Sequence, residues 1–217
     1  KSAENSRIVQ IGRITDNKNQ IELLKAYQKL NINIPLVFIG AEDESYLKKC
    51  KDYIKSHGLN NVQFLGYREN PWFEVSEKDI CVFTSKIETF GMVYIESLLN
   101  GIPTIVSNNK GYESVKEIFS EGEMYPLGNT DALSKMILDF LTNFDEKKQE
   151  MIHSREKILK LYSLDYAYRE IIQQVNFDVP CKSKDYEKYL YFLNVKVTMK
   201  DRLKQLLKNL VKLKKLR

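Results

Sequence analysis

Residues 79–101 read Asp79-Ile-Cys-Val-Phe-Thr-Ser85, then Lys86-Ile-Glu-Thr-Phe-Gly-Met-Val-Tyr-Ile-Glu96, then Ser97-Leu-Leu-Asn-Gly101. The run from Ile80 to Phe83 is apolar throughout and too short for a helix, which predicts a buried strand. The apolar pattern from Met92 to Leu99, closed by Gly101, predicts a helix. The stretch is therefore a strand–loop–helix unit, with acidic side chains at the point where the strand gives way to the helix.

The same alternation of strand and helix continues toward the N-terminus and beyond the unit. Short apolar runs bounded by turn-forming residues predict strands at 8–11, 36–39, 62–65 and 104–106. Helices are predicted at 21–30, after the candidate N-caps Asp16 and Asn17, and at 44–57, before Gly58. Strands that are apolar nearly end to end are buried on both faces, and helical crossovers make such a sheet parallel. The predicted fold is therefore α/β, a doubly wound Rossmann-like parallel sheet that binds ligands at the carboxyl ends of its strands.

The C-terminal part of the chain follows a different pattern. Helices are predicted at 131–143, 146–161 and 163–175, and Pro180 then interrupts the periodicity. We place a domain boundary near residue 178, which gives an α/β domain of residues 1–178 and a helical C-terminal extension of residues 179–217. Within that extension, residues 199–217 combine a leucine face with many lysines and predict a basic amphipathic helix.

The composition places the chain among globular proteins and restricts its partners. Of the 217 residues, 43% are hydrophobic and 29% charged, and the net charge of +5 comes mostly from residues 199–217. The three cysteines, Cys50, Cys81 and Cys181, are odd in number and show neither the spacing of a zinc site nor that of a disulfide framework. This pattern best fits a protein of the reducing cytoplasm. The aromatic residues fall at core spacing and give no argument for nucleic-acid binding.

The turn after the first strand carries cations where a dinucleotide-binding protein carries bare glycines. It reads Gly12-Arg13-Ile-Thr-Asp-Asn-Lys18 and does not match Gly-x-Gly-x-x-Gly, which disfavours a nicotinamide cofactor. A planar guanidinium and a mobile ammonium at this edge of the sheet can together neutralise a diphosphate. The alternative is that Arg13 and Lys18 are both solvated surface residues.

The loop and helix of residues 85–101 offer an anion site and a carboxylate. Free amides of Phe90, Gly91, Met92 and Val93 would point into the crevice together with the helix dipole, and Gly91 leaves room for a phosphate. Glu96, inside the helix and facing the cleft, could accept hydrogen bonds from vicinal ribose hydroxyls. Spacing alone carries little weight, because a chain with 29 acidic residues contains such glutamate pairs by chance.

Several motifs, taken in order, resemble the retaining glycosyltransferases of the family 4, or group 1, type, whose two-domain fold is called GT-B. The shared motifs are Gly12-Arg13 with Lys18, Phe64-Leu-Gly66, Asp79-Ile-Cys-Val-Phe-Thr-Ser85, Glu88 to Glu96 as a Glu-x7-Glu motif, Gly101-Ile-Pro103-Thr and Gly111-Tyr-Glu113. The resemblance covers about residues 7–175 and implies the C-terminal, donor-binding domain of a GT-B enzyme. The activity of that family implies transfer of a sugar from a nucleoside diphosphate, of UDP or GDP type, to an acceptor hydroxyl, with no metal or cofactor.

The resemblance also implies a role for each matching residue. Arg13 and Lys18 would hold the donor diphosphate and act in catalysis, and Glu96 would hold the ribose. Glu88 would meet the sugar hydroxyls and the reaction centre. The resemblance further implies that the sugar and phosphate of the donor contact Phe90, Gly91, Met92 and Val93. The base of the donor would contact Tyr67 and Arg68.

The expected partners follow from the resemblance and from the basic segment. Acceptor binding in a GT-B enzyme falls to an N-terminal domain, and the chain opens without a methionine, so we expect a fragment whose acceptor domain lies elsewhere. The basic helix at 199–217 could adsorb to an anionic membrane, dock a partner protein or pack on its own domain. We therefore expect a cytoplasmic protein of glycoconjugate or polysaccharide biosynthesis, peripheral at the inner face of the plasma membrane. The alternative function is a non-catalytic subunit that anchors or activates a partner transferase.

Overall fold

The computed structural model describes residues 6–119 and 123–161 of the chain. Its elements, in chain order, are β1 (Ile8–Ile11), α1 (Gln20–Leu30), β2 (Leu36–Ile39), α2 (Glu44–Ser56), β3 (Val62–Phe64), a short 3₁₀ helix (Pro71–Glu74), β4 (Ile80–Phe83), α3 (Met92–Leu99), β5 (Thr104–Ser107), α4 (Lys110–Phe119), β6 (Glu123–Tyr125), α5 (Thr130–Thr142) and α6 (Phe144–Leu161). Residues up to Leu159 belong to one compact unit. The boundary proposed at residue 178, the helix at 163–175 and the basic segment 199–217 lie outside the described residues, so they stay predictions.

The strands of the described residues form a parallel sheet in the order β3-β2-β1-β4-β5-β6. Ile8 of β1 pairs with Leu36 of β2 on one side and with Ile80 of β4 on the other. The strand order therefore reverses between β1 and β4, and a doubly wound sheet has its ligand crevice at the carboxyl ends of the strands at such a point. The predicted fold class is confirmed, and the reversal predicts a ligand crevice at the carboxyl ends of β1 and β4.

The central strands form the core because helices cover both faces of the sheet. Every residue of β1, β2, β4 and β5 is buried. Helix α1 packs against α5, and the ring of Phe38 on β2 stacks on that of Phe64 on β3 at a centroid distance of 4.9 Å. The continuous burial explains why these strands lack the polar alternation of a half-exposed sheet.

The predicted N-caps of α1 were wrong. The helix begins at Gln20, and its N-cap is Asn19, which has left-handed backbone angles and makes no capping hydrogen bond through its side chain. Asp16 and Asn17 lie earlier and bond to the loop after β4 instead: Asp16 pairs with Lys86 at 2.7 Å, and the Asn17 amide bonds to Ile87. A tertiary contact therefore takes the place of the local cap that the sequence pattern favours.

The sequence pattern missed two elements, β6 and α4. The pattern did not reveal β6, because a three-residue edge strand that begins with a glutamate gives no apolar run. It did not reveal α4 either, since Gly111 in the first turn is a weak helix former. The fold requires glycine there, because a Cβ at Gly111 would lie 2.5 Å from the carbonyl oxygen of Glu88. The α4 N-cap signal was present in Asn109, whose Oδ1 accepts from the amide of Tyr112 at 3.2 Å.

Candidate functional site

A cleft of about 470 Å³ opens at the carboxyl ends of β1 and β4, where the strand order reverses. Its lining residues come from the end of β1, the turn between β1 and α1, the loop after β4 and the first turns of α3: Ile11, Gly12, Lys18, Glu88, Thr89, Phe90, Gly91, Met92, Val93 and Glu96. The cleft is therefore built from the segments on either side of the switch point.

Buried polar groups of the sheet fix the backbone of Lys18. The carbonyl oxygen of Lys18 accepts hydrogen bonds from Gln10 Nε2 and from Thr84 Oγ1, both at 2.9 Å. Gln10 and Thr84 are themselves buried on β1 and directly after β4. These hydrogen bonds hold the backbone of Lys18 in place. The ammonium of Lys18 therefore reaches into the cleft from a rigid support.

The ammonium of Lys18 forms an ion pair with Oε1 of Glu88. The side chains are 22% and 14% exposed, so the pair is screened less than a surface pair. The ammonium has N–H groups to spare, because a lysine carries three donors and Glu88 uses one. Lys18 can thus keep Glu88 in place and bind an anion at the same time.

The buried side chain of Tyr112, on α4, also supports Glu88. Its hydroxyl lies 3.3 Å from Oε1 of Glu88 and 3.3 Å from Oγ of Ser85. Burial, reinforced by the nearby Glu88 carboxylate, raises the pKa of Tyr112, so the hydroxyl keeps its proton at neutral pH and can donate it to Glu88. Glu88 is thereby held between a cation and a neutral donor.

The first turn of α3 presents unused amides to the cleft. Its N-cap is Gly91, whose φ of 70° is a left-handed conformation, and no side chain caps the helix. Within the described part of the chain, the amides of Met92 and Val93 have no backbone acceptor, as expected for a first turn. These N–H groups and the helix dipole favour an anion next to Lys18.

Glu96 lies farther along α3 and accepts a hydrogen bond from another part of the chain. Nε1 of Trp72, on the 3₁₀ helix after β3, donates to Oε2 of Glu96 at 2.9 Å. Both side chains are partly exposed. The carboxylate therefore borders the cleft with one oxygen engaged and the other free to accept from a ligand.

A family model described as glycosyl transferases group 1 matches residues 1–157, which is more than half of the chain. The chain belongs to the group 1 glycosyl transferases. The match includes every residue assigned to the cleft, and the resemblance read from the sequence is confirmed at the level of the family.

Curated relatives of this group 1 chain include bacterial transferases. It is 29% identical over 143 residues to an N-acetylgalactosamine-N,N'-diacetylbacillosaminyl-diphospho-undecaprenol 4-alpha-N-acetylgalactosaminyltransferase of Campylobacter jejuni, covering 65% of this chain and 38% of that protein. It is 29% identical over 146 residues to the capsular polysaccharide biosynthesis glycosyltransferase CapH of Staphylococcus aureus, covering 63% of this chain and 41% of that protein. The chain thus spans less than half the length of either relative.

Solved structures share the fold. A structure of Anabaena Alr3699/HepE in complex with UDP and glucose superposes with a TM-score of 0.69 at 20% identity, covering 79% of this chain and 48% of that one. At this identity the likeness shows the fold alone, and it agrees with the Rossmann-like half of a GT-B enzyme.

The structure of this group 1 chain brings some of the predicted site residues together and leaves others apart. Lys18, Glu88, Phe90 to Val93 and Glu96 line one cleft, whereas the exposed side chain of Arg13 does not. The list of predicted residues outside the lining is Arg13, Tyr67 and Arg68. Tyr67 is 70% exposed, and Nε of Arg68 pairs with Oε1 of Glu74 at 2.9 Å.

Sequence reasoning missed Tyr112 and Trp72, which support the two glutamates. Tyr112 was noted only as part of a motif, and Trp72 is the sole tryptophan of the chain. Tyr112 lies 24 residues from Glu88, and Trp72 lies 24 residues from Glu96. No periodicity links positions so far apart, although a single tryptophan after a conspicuous Asn-Pro turn was a usable signal.

Replacing Gly91 with alanine is expected to lower the free energy of unfolding by about 2–3 kcal/mol, since a left-handed alanine costs about 1 kcal/mol and overpacking costs more. A Cβ at Gly91 would lie 2.6 Å from Cδ1 of Tyr112. Gly58→Ala is the matched control, because Gly58 has a φ of 62° and its added Cβ would meet nothing within 4 Å. Equal losses for both variants in denaturant unfolding would contradict the close contact with Tyr112.

The cysteines and the acidic side chains outside the cleft give no second candidate site in the described residues. Cys50 and Cys81 are free and buried, and burial raises the pKa of the Cys50 thiol to about 12. Residues 6–119 and 123–161 contain no cluster of three or more histidine, cysteine, aspartate or glutamate side chains arranged to hold a metal ion. Within those same ranges, no helix combines the length and apolar character that a membrane crossing needs.

Proposed function

We propose that this chain is the donor-binding domain of a retaining glycosyltransferase, which holds a nucleoside diphosphate sugar in the cleft between β1 and β4. One observation carries the proposal: Lys18, the uncapped N-terminus of α3 and the carboxylate of Glu96 all border a single cleft at the switch point of the sheet. A diphosphate needs a cation and N–H donors, and a ribose needs an acceptor, so the ligand's parts match the groups on offer.

The diphosphate is assigned to Lys18 and the first turn of α3. As the bond between the anomeric carbon and the diphosphate breaks, its electron pair leaves with the diphosphate, and negative charge accumulates there. A fixed ammonium and preorganised amides lower the free energy of that charged state more than that of the bound substrate. Arg13 is assigned to the same diphosphate, and its exposed side chain has freedom to approach a bound ligand.

Glu96 is assigned to the ribose and Glu88 to the transferred sugar. A carboxylate accepts hydrogen bonds from hydroxyl groups, and Oε1 of Glu96 is available for this because Trp72 engages Oε2. Glu88, fixed by Lys18 and Tyr112, lines the same cleft as the groups assigned to the diphosphate. The acceptor oxygen would donate an electron pair to the anomeric carbon and release its proton to the medium, which completes the exchange.

The comparisons support a nucleotide sugar and a retaining outcome. Neighbouring structures were solved with UDP and with UDP-glucose. The Campylobacter relative is named for an alpha linkage. With an alpha-linked UDP-sugar as the donor, an alpha product means that the configuration at the anomeric carbon is retained. In this proposal, a separate N-terminal domain or partner chain binds the acceptor and completes the enzyme.

A thermal-shift panel tests the proposed donor class. UDP and UDP-glucose are expected to raise the melting temperature at millimolar concentration, whereas uridine is expected to have a much smaller effect. A ligand that binds only the folded state stabilises it more when its concentration exceeds its dissociation constant by a larger factor. GDP in the same panel identifies the base. The shift should survive EDTA, since Lys18 and the helix amides hold the diphosphate. Equal shifts with uridine and UDP, or no shift with any nucleoside diphosphate, would contradict the proposal.

A further inference from the structure

The carboxylate of Glu96 is held by a group that no local motif supplies. Nε1 of Trp72 donates to Oε2 of Glu96 at 2.9 Å, and an indole N–H is a donor with no acceptor capacity. A hydrogen bond to a charged acceptor is among the stronger ones in proteins. The contact therefore restrains the rotation of the carboxylate and leaves Oε1 as the oxygen that a ligand can reach.

The segment that carries Trp72 is itself well fixed. Oδ1 of Asn70 caps the 3₁₀ helix by accepting from the amide of Trp72 at 3.1 Å, and Pro71 sets the backbone at its start. The same segment is anchored to the residue directly before β1, since Nη2 of Arg7 donates to the carbonyl oxygen of Glu74 at 2.6 Å. The indole therefore reaches Glu96 from a rigid support, as a group that orients another side chain requires.

We propose that Trp72 is a positioning residue that orients Glu96 and thereby makes the cleft selective for ribonucleotides. This inference rests on the proposed function, in which Glu96 binds the ribose. With Oε2 held by the indole, Oε1 is presented in a fixed direction to a ribose hydroxyl, and no ordering of the Glu96 side chain remains to be done on binding. Without the indole N–H, the carboxylate is free to rotate, and the advantage of a ligand with ribose hydroxyls decreases.

The test compares UDP with 2',3'-dideoxy-UDP by titration calorimetry on the full chain. The wild type is expected to bind UDP at least tenfold more tightly than the dideoxy analogue. Trp72→Phe keeps an aromatic ring and removes the N–H. It is expected to weaken UDP binding about fivefold to tenfold, less than the roughly 10- to 150-fold of a lost hydrogen bond to a charged group, because the ribose contact of Glu96 itself remains. Its affinity for dideoxy-UDP should change less than twofold.

Two further variants separate positioning from other effects. Phe73→Leu is the matched control, because Phe73 is the neighbouring aromatic residue, is 88% exposed and has no N–H or O–H in its side chain that could bond to Glu96. In a Glu96→Ala background, Trp72→Phe should cause no further loss of UDP affinity, because the residue through which it acts is gone. This cycle depends on affinities within pairs of variants and stays informative if Trp72→Phe lowers the melting temperature.

The outcomes distinguish the inference from the proposed function. If Trp72→Phe weakened binding of UDP and of dideoxy-UDP by the same factor, the preference for UDP would be unchanged. That result would overturn the positioning role while leaving the nucleotide site in place. If the wild type itself bound both nucleotides equally, the ribose role of Glu96 would fail, and the inference would fail with it. Loss of the preference for UDP in Trp72→Phe alone supports the inference.

Discussion

Glu88→Ala is expected to lower turnover about 100-fold or more, the scale on which removal of a preorganised active-site group acts. The expectation follows from the position of Glu88, which lies in the cleft between Lys18 and Tyr112 and is assigned to the transferred sugar. Turnover is to be measured in an enzyme assembled with its acceptor-binding domain. Affinity for free UDP should change little, because the nucleoside diphosphate lacks the sugar that Glu88 contacts.

Glu96→Ala is the matched comparison for Glu88→Ala. Both variants remove one carboxylate from the same cleft, but Glu96 is assigned to the ribose, which UDP and UDP-sugar share. Glu96→Ala should therefore weaken binding of both ligands by about 1.5–3 kcal/mol, as expected for hydrogen bonds to a charged acceptor. Loss of a contact made only in the transition state lowers kcat and kcat/KM together. Loss of a contact made equally with substrate and transition state raises KM and leaves kcat unchanged. Equal losses of free-UDP affinity in the two variants would contradict this division.

Lys18→Ala is expected to weaken UDP binding by about 1.5–3 kcal/mol, or roughly 10- to 150-fold, the scale of a charge-assisted contact. The loss has two sources, because the variant removes a cation from the phosphate position and leaves Glu88 without its ion pair, so that its charge repels the ligand. Arg13→Ala should show a loss of the same sign if Arg13 approaches bound diphosphate. The double variant should lose more than either single variant.

The control for Lys18→Ala is Lys29→Ala. Lys29, on α1, also forms an ion pair, with Asp131 at 2.7 Å, but it lies outside the cleft. Its removal changes the net charge by the same amount, so any loss that reflects only long-range attraction of an anion will appear in both variants. Wild-type affinity in a folded Arg13→Ala/Lys18→Ala variant would show that these residues do not form the phosphate site.

Much of the fold could be predicted because burial leaves a direct mark on the sequence. The strands β1, β2 and β4 and the helix α3 begin and end at the residues predicted, since each is an apolar run with a clear boundary. The pattern was insufficient where tertiary contacts override local preference. Asn17 bonds to Ile87 instead of capping α1, and Gly111 begins a helix because the Glu88 loop passes too close for a side chain.

The candidate site could be predicted in part, for a related reason. Lys18, Glu88 and Glu96 lie next to strand ends or in the helix that follows, so topology alone brings them to one edge of the sheet. The groups that hold them were not predicted. Tyr112 and Trp72 come from separate elements, and only the packing of α4 and of the 3₁₀ helix against the site brings their side chains to Glu88 and Glu96.

A crystal structure of the chain with UDP would show whether the cleft between β1 and β4 holds the nucleotide. We predict that a diphosphate oxygen lies within hydrogen-bond distance of Nζ of Lys18, and that phosphate oxygens accept from the amides of Met92 and Val93. A ribose hydroxyl should donate to Oε1 of Glu96 while Oε2 stays bonded to Trp72. UDP bound elsewhere on the chain, or bound in this cleft with its diphosphate directed away from Lys18 and the N-terminus of α3, would contradict the account.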